Sequence, residues 1–327
     1  MVALSTTYMG LSLRNPLIVA SCSLVNNLPG IRRCVDAGAG AVVLKSLFEE
    51  QMQAETKDLE QEIWLPGHPE AFEYVSKMGM ALGPREYLKL VKEAKEAVSI
   101  PIIASLNCIS PKWWVDYAKQ IEAAGADALE LNISVMPSDP KHNSAEIERI
   151  TFRILQEVKT RIDIPIAVKI GSHFASVARV ADELCRRGAS ALVLFNRYYQ
   201  LDIDIEKLEL APGYKFSSPH EIYLPLRWIA LLAGRVGCDL AVSTGVHDGA
   251  GAIKGLLAGA TAIQLCSTLY LNGIEQIGRI LEEIESWMKK HGIESLDQIR
   301  GKLSQMESPN PELYERLQYI KILVGIE

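Results

Sequence analysis

Lysine and asparagine side chains that end short apolar segments are the residues of this 327-residue chain best suited to chemistry. Lys45 and Lys169 lie at or near the ends of two such segments, and Asn107, Asn132 and Asn196 end three others. A lysine in a buried strand is costly unless it meets an anion or a hydrogen-bond acceptor. A structural ion pair would explain one such lysine. Two lysines among three asparagines instead favour a flat ring that is rich in heteroatoms. Lysine stabilises the negatively charged reduced form of such a ring, so the pattern predicts a flavin.

Eight short apolar segments must position these residues as strands. Four begin with a Gly-Ala pair after a helical pattern, so that the glycine ends the helix and a tight turn leads into the strand. They span residues 38–44, 125–131, 188–194 and 259–265. The other four span residues 16–20, 101–106, 165–170 and 239–243, and three of them open with proline, which is tolerated at the first position of a strand. Their nearly continuous hydrophobicity is typical of parallel strands buried on both faces.

Amphipathic segments between the strands predict the helices. They span residues 84–98, 144–162, 174–187, 223–236 and 249–258. The alternation predicts an α/β fold, a closed (β/α)8 TIM barrel that spans residues 1–327 as a single domain. A doubly wound open sheet is the alternative. That fold usually carries a glycine-rich fingerprint after its first strand, where this chain has Ala20-Ser21-Cys22-Ser23.

Small residues after the last two strands predict the position of a phosphate group. Ser243, Thr244 and Gly245 end the seventh strand, and Cys266 and Ser267 follow the eighth. In this fold the backbone N–H groups of these two loops often bind phosphate, with a helix N-terminus behind them. Either loop alone is more simply explained as a turn. Both loops beside the two lysines favour FMN, a flavin that carries a phosphate.

Two long segments are predicted to form lids or pocket walls. They are residues 47–83 after the second strand and residues 197–222 after the sixth. Both leave the barrel at the carboxyl ends of strands, where the active sites of this fold lie.

Composition limits the possible partners and compartment. The net charge of −6 comes from interspersed acids and bases, which leaves no basic patch for nucleic acid. No apolar run reaches the roughly 18 to 20 residues of a membrane helix, and the N-terminus lacks a signal-peptide pattern. None of the six cysteines belongs to a C-x-x-C pair, so no metal centre is predicted. We therefore expect a soluble, cytoplasmic protein without disulfides.

The order and spacing of these motifs resemble the dihydroorotate dehydrogenase family, from residue 5 to residue 300. The similar segments are residues 15–21 (NPLIVAS), 40–46 (GAVVLKS), Met78-Gly79, 130–134 (ELNIS), Val168-Lys169, Asn196 and 257–260 (LAGA). The resemblance implies an FMN-binding barrel that oxidises a CH–CH donor in pyrimidine biosynthesis, a reaction of the EC 1.3 class. It also implies a homodimer.

The strand ends and the resemblance together give two sets of predicted site residues. The flavin is expected to contact Ala20, Ser21, Lys45, Ser46, Asn107, Asn132, Lys169, Ser243, Thr244, Gly245, Cys266 and Ser267. The substrate, expected to be a small carboxylate, is expected to contact Lys45, Ser76, Met78, Gly79, Asn132, Asn196 and Arg197.

The loop after the fourth strand departs from the family pattern. The family has N-x-S-C-P-N or N-x-S-S-P-N there, with Cys or Ser as the catalytic base, whereas this chain has NISVMP and places Val135 at the base position. Pro137 and Ser76 stand where substrate-binding asparagines are expected. Valine cannot accept a proton, and loss of a positioned base typically lowers the rate by a factor of about 10² to 10⁴. We therefore expect poor oxidation of dihydroorotate. The catalytic residue stays unassigned, because none of the nearby Ser134, His173, Tyr198 and Cys108 is a convincing replacement.

Three functions remain open on the sequence. The first is a flavin oxidoreductase for another small substrate, with Arg197 or Lys45 pairing its carboxylate. The second is a flavin-holding subunit that passes electrons to a partner protein within a larger complex. The third is a flavin-free lyase or aldolase that uses Lys45 or Lys169 as a Schiff-base amine. No sequence motif indicates the electron acceptor, and no amphipathic extension precedes the barrel, which argues against the membrane-attached branch of the family.

Overall fold

The computed structural model describes residues 2–51, 84–110, 114–197, 201–212 and 216–311. Within these ranges the strands are β1 (Thr6–Tyr8), β2 (Leu11–Leu13), β3 (Leu17–Val19), β4 (Ala41–Val43), β5 (Leu47–Phe48), β6 (Ile102–Cys108), β7 (Ala128–Ile133), β8 (Ile166–Ile170), β9 (Ala191–Leu194), β10 (Leu201–Asp204), β11 (Glu209–Pro212), β12 (Asp239–Ser243) and β13 (Ala262–Leu265). The α-helices are α1 (Leu28–Asp36), α2 (Pro84–Ala97), α3 (Trp114–Ala123), α4 (Ser144–Lys159), α5 (Val177–Arg186), α6 (Tyr223–Leu232), α7 (Gly249–Ala258), α8 (Ser267–Asn272) and α9 (Gln276–Lys290).

The eight predicted strands form a closed parallel barrel. Their order around the ring is β4-β3-β13-β12-β9-β8-β7-β6, and pairing of β4 with β6 closes it. The predicted TIM barrel is therefore confirmed. β5 pairs with the end of β6 and continues the second strand beyond a break at residues 44–46.

The predicted Gly-Ala junctions end helices as expected. Gly259 ends α7 with a φ of 120°, and its N–H donates to the carbonyl oxygens of Gly255 and Leu256. A Cβ at this position would lie 2.3 Å from the Cβ of Ala233, so only glycine fits the turn. The glycines of the other three junctions also have positive φ.

Strand alternation divides the core into two apolar layers. One layer fills the space between the barrel and its helices, and includes Val42, Leu129 and Ile263. The other fills the inside of the barrel, where Ile18, Val43, Ile103 and Val193 pack with the alanines of β4, β7, β8, β9, β12 and β13. Tyr8, Met9 and Leu13 of the β1–β2 hairpin join this inner layer. The Met9 N–H donates to Asp239 at the start of β12, 2.7 Å away, so the hairpin packs at the amino-terminal end of the strands.

Inside the barrel, side chains become polar toward the carboxyl ends of the strands. Because residues two apart share a face, Ile103 and Ala128 lie below Ser105 and Glu130 on β6 and β7. The strand register pairs Ser105 with Glu130, Asn107 with Asn132, and Asn132 with Lys169. The polar residues predicted from separate segments are thus neighbours at one end of the barrel.

A disulfide corrects the expectation that the chain has none. Cys185 in α5 and Cys238 just before β12 are bonded, with their Cα atoms 5.6 Å apart. They lie 53 residues apart in sequence. They meet because β12 pairs with β9, the strand that follows α5. Cys22, Cys34, Cys108 and Cys266 are free.

The two excursions are described in part. Residues 52–83 of the first lie outside the described residues, and the second contains the antiparallel hairpin β10–β11. Among the described residues, no helix is both long and apolar enough to cross a membrane. The same residues include no group of three His, Cys, Asp or Glu side chains that could hold a metal ion.

Candidate functional site

A cavity of about 230 Å³ opens at the carboxyl ends of the strands. Of the predicted flavin-contacting residues, it is lined by Ala20, Ser21, Lys169, Ser243, Thr244, Gly245, Cys266 and Ser267. Two predicted substrate-contacting residues, Asn196 and Arg197, also line it. The sequence pattern thus identified most of this wall. The structure adds four residues that the sequence analysis missed, Phe195, Ser217, Val246 and Gln264.

Four of the predicted residues that the structure describes lie outside this lining: Lys45, Ser46, Asn107 and Asn132. Lys45 is half-buried in the break between β4 and β5. Ser46 is connected to the cavity by a chain of hydroxyl groups, since its Oγ lies 2.9 Å from that of Ser21 and 2.8 Å from that of Ser105. The Ser105 N–H in turn donates to the hydroxyl of Tyr87 at 2.7 Å. These hydrogen bonds hold the break between β4 and β5 beside the cavity.

Asn132 carries an unpartnered acceptor next to Lys169. Its side-chain Oδ1 is buried and has no hydrogen-bond partner among the residues that the structure describes. A buried polar atom without a partner is costly, so such an atom beside a lysine that lines the cavity suggests a site that receives a donor from a ligand. Asn132 pairs in register with both Asn107 and Lys169.

Lys169 is held by a buried hydrogen-bonded chain. Its Nζ donates to Gln264 Oε1 at 3.1 Å, and Gln264 Nε2 donates to Glu130 Oε2 at 2.5 Å. All three side chains are at least nine-tenths buried. Burial raises the pKa of Glu130, while the charge of Lys169 and the hydrogen bond from Gln264 oppose this rise.

The loops after β12 and β13 meet at Ser217. The Ser217 N–H donates to Ser267 Oγ at 2.9 Å, and Ser217 Oγ accepts from the Gly245 N–H at 3.4 Å. Ser217 Oγ also lies 3.2 Å from His247 Nε2. Burial lowers the pKa of His247, which favours the neutral form of its imidazole. Thr244 and Gly245 have φ angles of 82° and 80°, and this conformation bends the backbone of the loop around the cavity.

Arg197 is held by a carboxylate of the protein itself. Its Nε donates to Glu221 Oε1 at 2.8 Å. Partial burial would raise the pKa of Glu221, but the hydrogen bonds and charge of Arg197, together with the Ser218 N–H, keep that pKa below its usual value. The ion pair positions Arg197 at the cavity wall, and its predicted contact with a substrate carboxylate stays a prediction.

Val135 is half-buried and packs against the apolar layer outside the barrel. The preceding Ser134 extends β7, because its N–H donates to Cys108 O at 3.1 Å. Cys108 is fully buried, and burial raises the pKa of its thiol well above its usual value, which agrees with a packing role. Ser76, Met78, Gly79 and Tyr198 lie outside the described residues.

Comparison with known proteins finds similarity to one family along most of the chain. The profile of the family described as "Dihydroorotate dehydrogenase" matches residues 3–288. A curated relative from Methanothermobacter thermautotrophicus, named the catalytic subunit of dihydroorotate dehydrogenase B (NAD(+)), is 28% identical over 315 residues, which cover 91% of this chain and 97% of the relative. A protein of the same name from Pyrococcus furiosus is 26% identical, with 89% and 96% coverage. A relative from Aeropyrum pernix, named putative dihydroorotate dehydrogenase A (fumarate), is 26% identical, with 91% and 96% coverage.

Proposed function

Since the chain belongs to the dihydroorotate dehydrogenase family, we propose that it is an FMN-dependent oxidoreductase whose flavin binds in the cavity at the carboxyl ends of the barrel strands. The observation that carries this proposal is the cavity lining. A buried lysine, Lys169, and the two loops of small residues after β12 and β13 line one space. When bound, FMN would supply hydride-accepting chemistry at this position.

The residues of the cavity suit the parts of FMN. Lys169 offers a cation to the ring, and the unpartnered Asn132 Oδ1 nearby is suited to accept from a ring N–H. The loops that contain Ser243–Gly245 and Cys266–Ser267 offer backbone N–H groups and hydroxyls to the phosphate. Ala20 and Ser21, which follow β3, also line the cavity. Lys45, Ser46 and Asn107 are proposed to contact the flavin or substrate from the adjoining strands.

We also propose that dihydroorotate is a poor substrate. The support is Val135, a half-buried hydrocarbon at the position where the family pattern places its base. A proton must leave the carbon next to the one that gives up hydride, and a side chain without a lone pair cannot take it. The proposed substrate is a different small carboxylate, which Arg197 would orient.

A partner protein is consistent with the names of the relatives. Several are called catalytic subunits, which are parts of larger assemblies. We propose that this chain likewise passes electrons to a second protein, and that it forms a homodimer. The departure at Val135 favours, as a second candidate, a subunit that holds flavin for electron transfer and has no substrate chemistry of its own.

An absorption spectrum of the purified protein tests the flavin. We expect the two visible bands of oxidised flavin, or their appearance after FMN is added to protein depleted of it. A colourless protein that takes up no FMN would contradict the proposal and favour the flavin-free lyase.

Substitution at the base position tests the substrate. With FMN bound, reduction of the flavin by dihydroorotate is expected to be slow, and Val135→Ser is expected to accelerate it by a factor of about 10² or more, the usual contribution of a positioned base. Met136→Ser, at the exposed neighbour, is the control and should have no effect. Rapid reduction of the unaltered protein would contradict the claim that dihydroorotate is a poor substrate.

A further inference from the structure

The chain Lys169–Gln264–Glu130 reaches from the cavity into the closed interior of the barrel. Lys169 and Gln264 line the cavity, whereas Glu130 does not. Glu130 is 1% exposed and lies one step below Asn132 on the inner face of β7. Its carboxylate is therefore buried beneath the lysine, and among the described residues the amide of Gln264 connects the two by hydrogen bonds.

The orientation of the Gln264 amide depends on both charged partners. Its oxygen accepts from the Lys169 ammonium and its nitrogen donates to the Glu130 carboxylate. A flipped amide would point the oxygen at the carboxylate and the NH2 group at the ammonium, which would lose both hydrogen bonds. An ionised Glu130 thus fixes Gln264, and the fixed Gln264 oxygen holds the ammonium. A hydrogen-bonded charge pair in a buried site is also strongly coupled electrostatically.

We propose that Glu130, acting through Gln264, is a positioning residue that holds Lys169 and offsets its charge, so that the proton on Glu130 sets the reduction potential of the flavin. This inference rests on the proposed function, because it requires a flavin in the cavity. With Glu130 ionised, the flavin faces a cation whose charge is largely compensated. With Glu130 protonated, the same cation is uncompensated and stabilises the negatively charged reduced flavin.

The surroundings of Glu130 determine the direction of its titration. In the part of the chain that the structure describes, the ionisable groups that interact with it are Lys169 from β8, Tyr8 from the β1–β2 hairpin and Tyr87 from α2. Burial is the main cause that raises the pKa of both tyrosines, and the charge of Glu130 adds to it, while a hydrogen bond with Ser105 partly opposes the rise for Tyr87. Both tyrosines therefore stay neutral near pH 7, and Lys169 is the only charge opposing Glu130 among them. Burial raises the pKa of Glu130 itself, so it takes up a proton at a higher pH than an exposed glutamate would.

The test measures the midpoint potential of the bound FMN against pH in the unaltered protein and in Glu130→Gln. In the unaltered protein we expect an additional rise of the potential as pH falls through the pKa of Glu130. In Glu130→Gln we expect this step to disappear and the potential to stay high. The variant should bind reduced FMN about tenfold more tightly, relative to oxidised FMN, than the unaltered protein does at pH 8, as expected for one uncompensated unit charge nearby.

Two further variants distinguish the effect of the Lys169–Gln264–Glu130 hydrogen bonds from the general effect of removing a buried carboxylate. Glu148→Gln removes another buried carboxylate that pairs with a cation, Arg179, but does not line the cavity, and it should leave the potential unchanged. Gln264→Met removes both hydrogen bonds and should shrink the pH step. A step of full size in Gln264→Met would overturn the role of the amide.

The outcomes distinguish this inference from the proposed function. If no FMN binds, the proposed function fails and this inference fails with it. If FMN binds and Glu130→Gln has the potential of the unaltered protein at every pH, this inference alone is overturned. If Glu130→Gln does not fold, the pH dependence of the unaltered protein decides, because a curve without the additional step overturns the inference.

Discussion

At the scale of single residues, the cavity depends on backbone conformations that only certain side chains permit. Gly245 has a φ of 80°, and a Cβ placed on it would lie 2.2 Å from the backbone nitrogen of Ile222. Its N–H donates to Ser217 Oγ, which joins the loop after β12 to the loop after β13. The shape of the proposed phosphate site therefore rests on the absence of a side chain at this residue.

Gly245→Ala is expected to weaken FMN binding by about tenfold or more and to lower the free energy of unfolding by about 1 to 3 kcal/mol, because the loop must move off Ile222 and the backbone is strained. FMN titration and urea denaturation measure the two effects. Gly237→Ala is the matched control, since a Cβ there meets no atom within 4 Å and the backbone φ is not positive. Equal behaviour of the two variants would contradict this account of the loop.

At the scale of elements, a buried carboxylate joins the first excursion to the barrel. Glu49 directly follows β5 and is 1% exposed. It accepts from the N–H groups of Ile109 and Ser110, at 3.0 and 2.9 Å, and from Trp114 Nε1 at 3.0 Å. These donors lie in the loop after β6 and at the start of α3. The helix and the excursion are therefore held by one side chain that satisfies several buried donors.

Removal of this carboxylate is expected to be strongly destabilising. Glu49→Ala leaves the backbone N–H groups and the indole N–H without their acceptor, which should lower the free energy of unfolding by about 2 to 4 kcal/mol. Urea denaturation measures this change in the free energy of unfolding. Glu50→Ala, at the exposed neighbour, should change stability by less than about 0.5 kcal/mol. An equally small loss of stability in Glu49→Ala would contradict this prediction, because it would mean that water replaces the carboxylate without cost.

At the scale of the whole molecule, the β10–β11 hairpin exposes an apolar face. Leu201, Ile203 and Leu210 lie on one face of the hairpin and are 58–64% exposed. Asp202, Asp204 and Glu209 lie on the opposite face by strand alternation. A two-stranded hairpin is only marginally stable by itself, and exposed aliphatic faces of this kind are typical of contacts between proteins. This face supports the homodimer proposed above.

The purified protein is expected to be a dimer by light scattering, and Ile203→Glu is expected to shift it to monomer, because the new charge would be buried in the interface. Asp202→Glu puts the same side chain on the opposite face and should leave the dimer intact. A monomeric unaltered protein, or a dimer that survives Ile203→Glu, would contradict the assignment of this face.

Much of the fold could be predicted because its signals are local. A glycine that ends a helix, a proline that opens a strand and an apolar run of five or six residues each act over a few neighbours, and all eight strands were located from them. Polar residues at strand ends were found in the same way, and most of those in the described residues line one cavity. Alternation along a parallel strand makes this possible, since it fixes which residues share a face.

The tertiary structure alone decided which of these residues meet. Lys169 and Gln264 are separated by 95 residues and Glu130 and Gln264 by 134, and Ser217 and His247 belong to different loops. The Cys185–Cys238 disulfide, which the sequence did not predict, likewise depends on the pairing of strands that are distant in sequence. Local patterns set the period and the ends of each strand. The register between strands and the closure of the barrel set every cross-strand contact, including those that give Lys169 its place at the cavity.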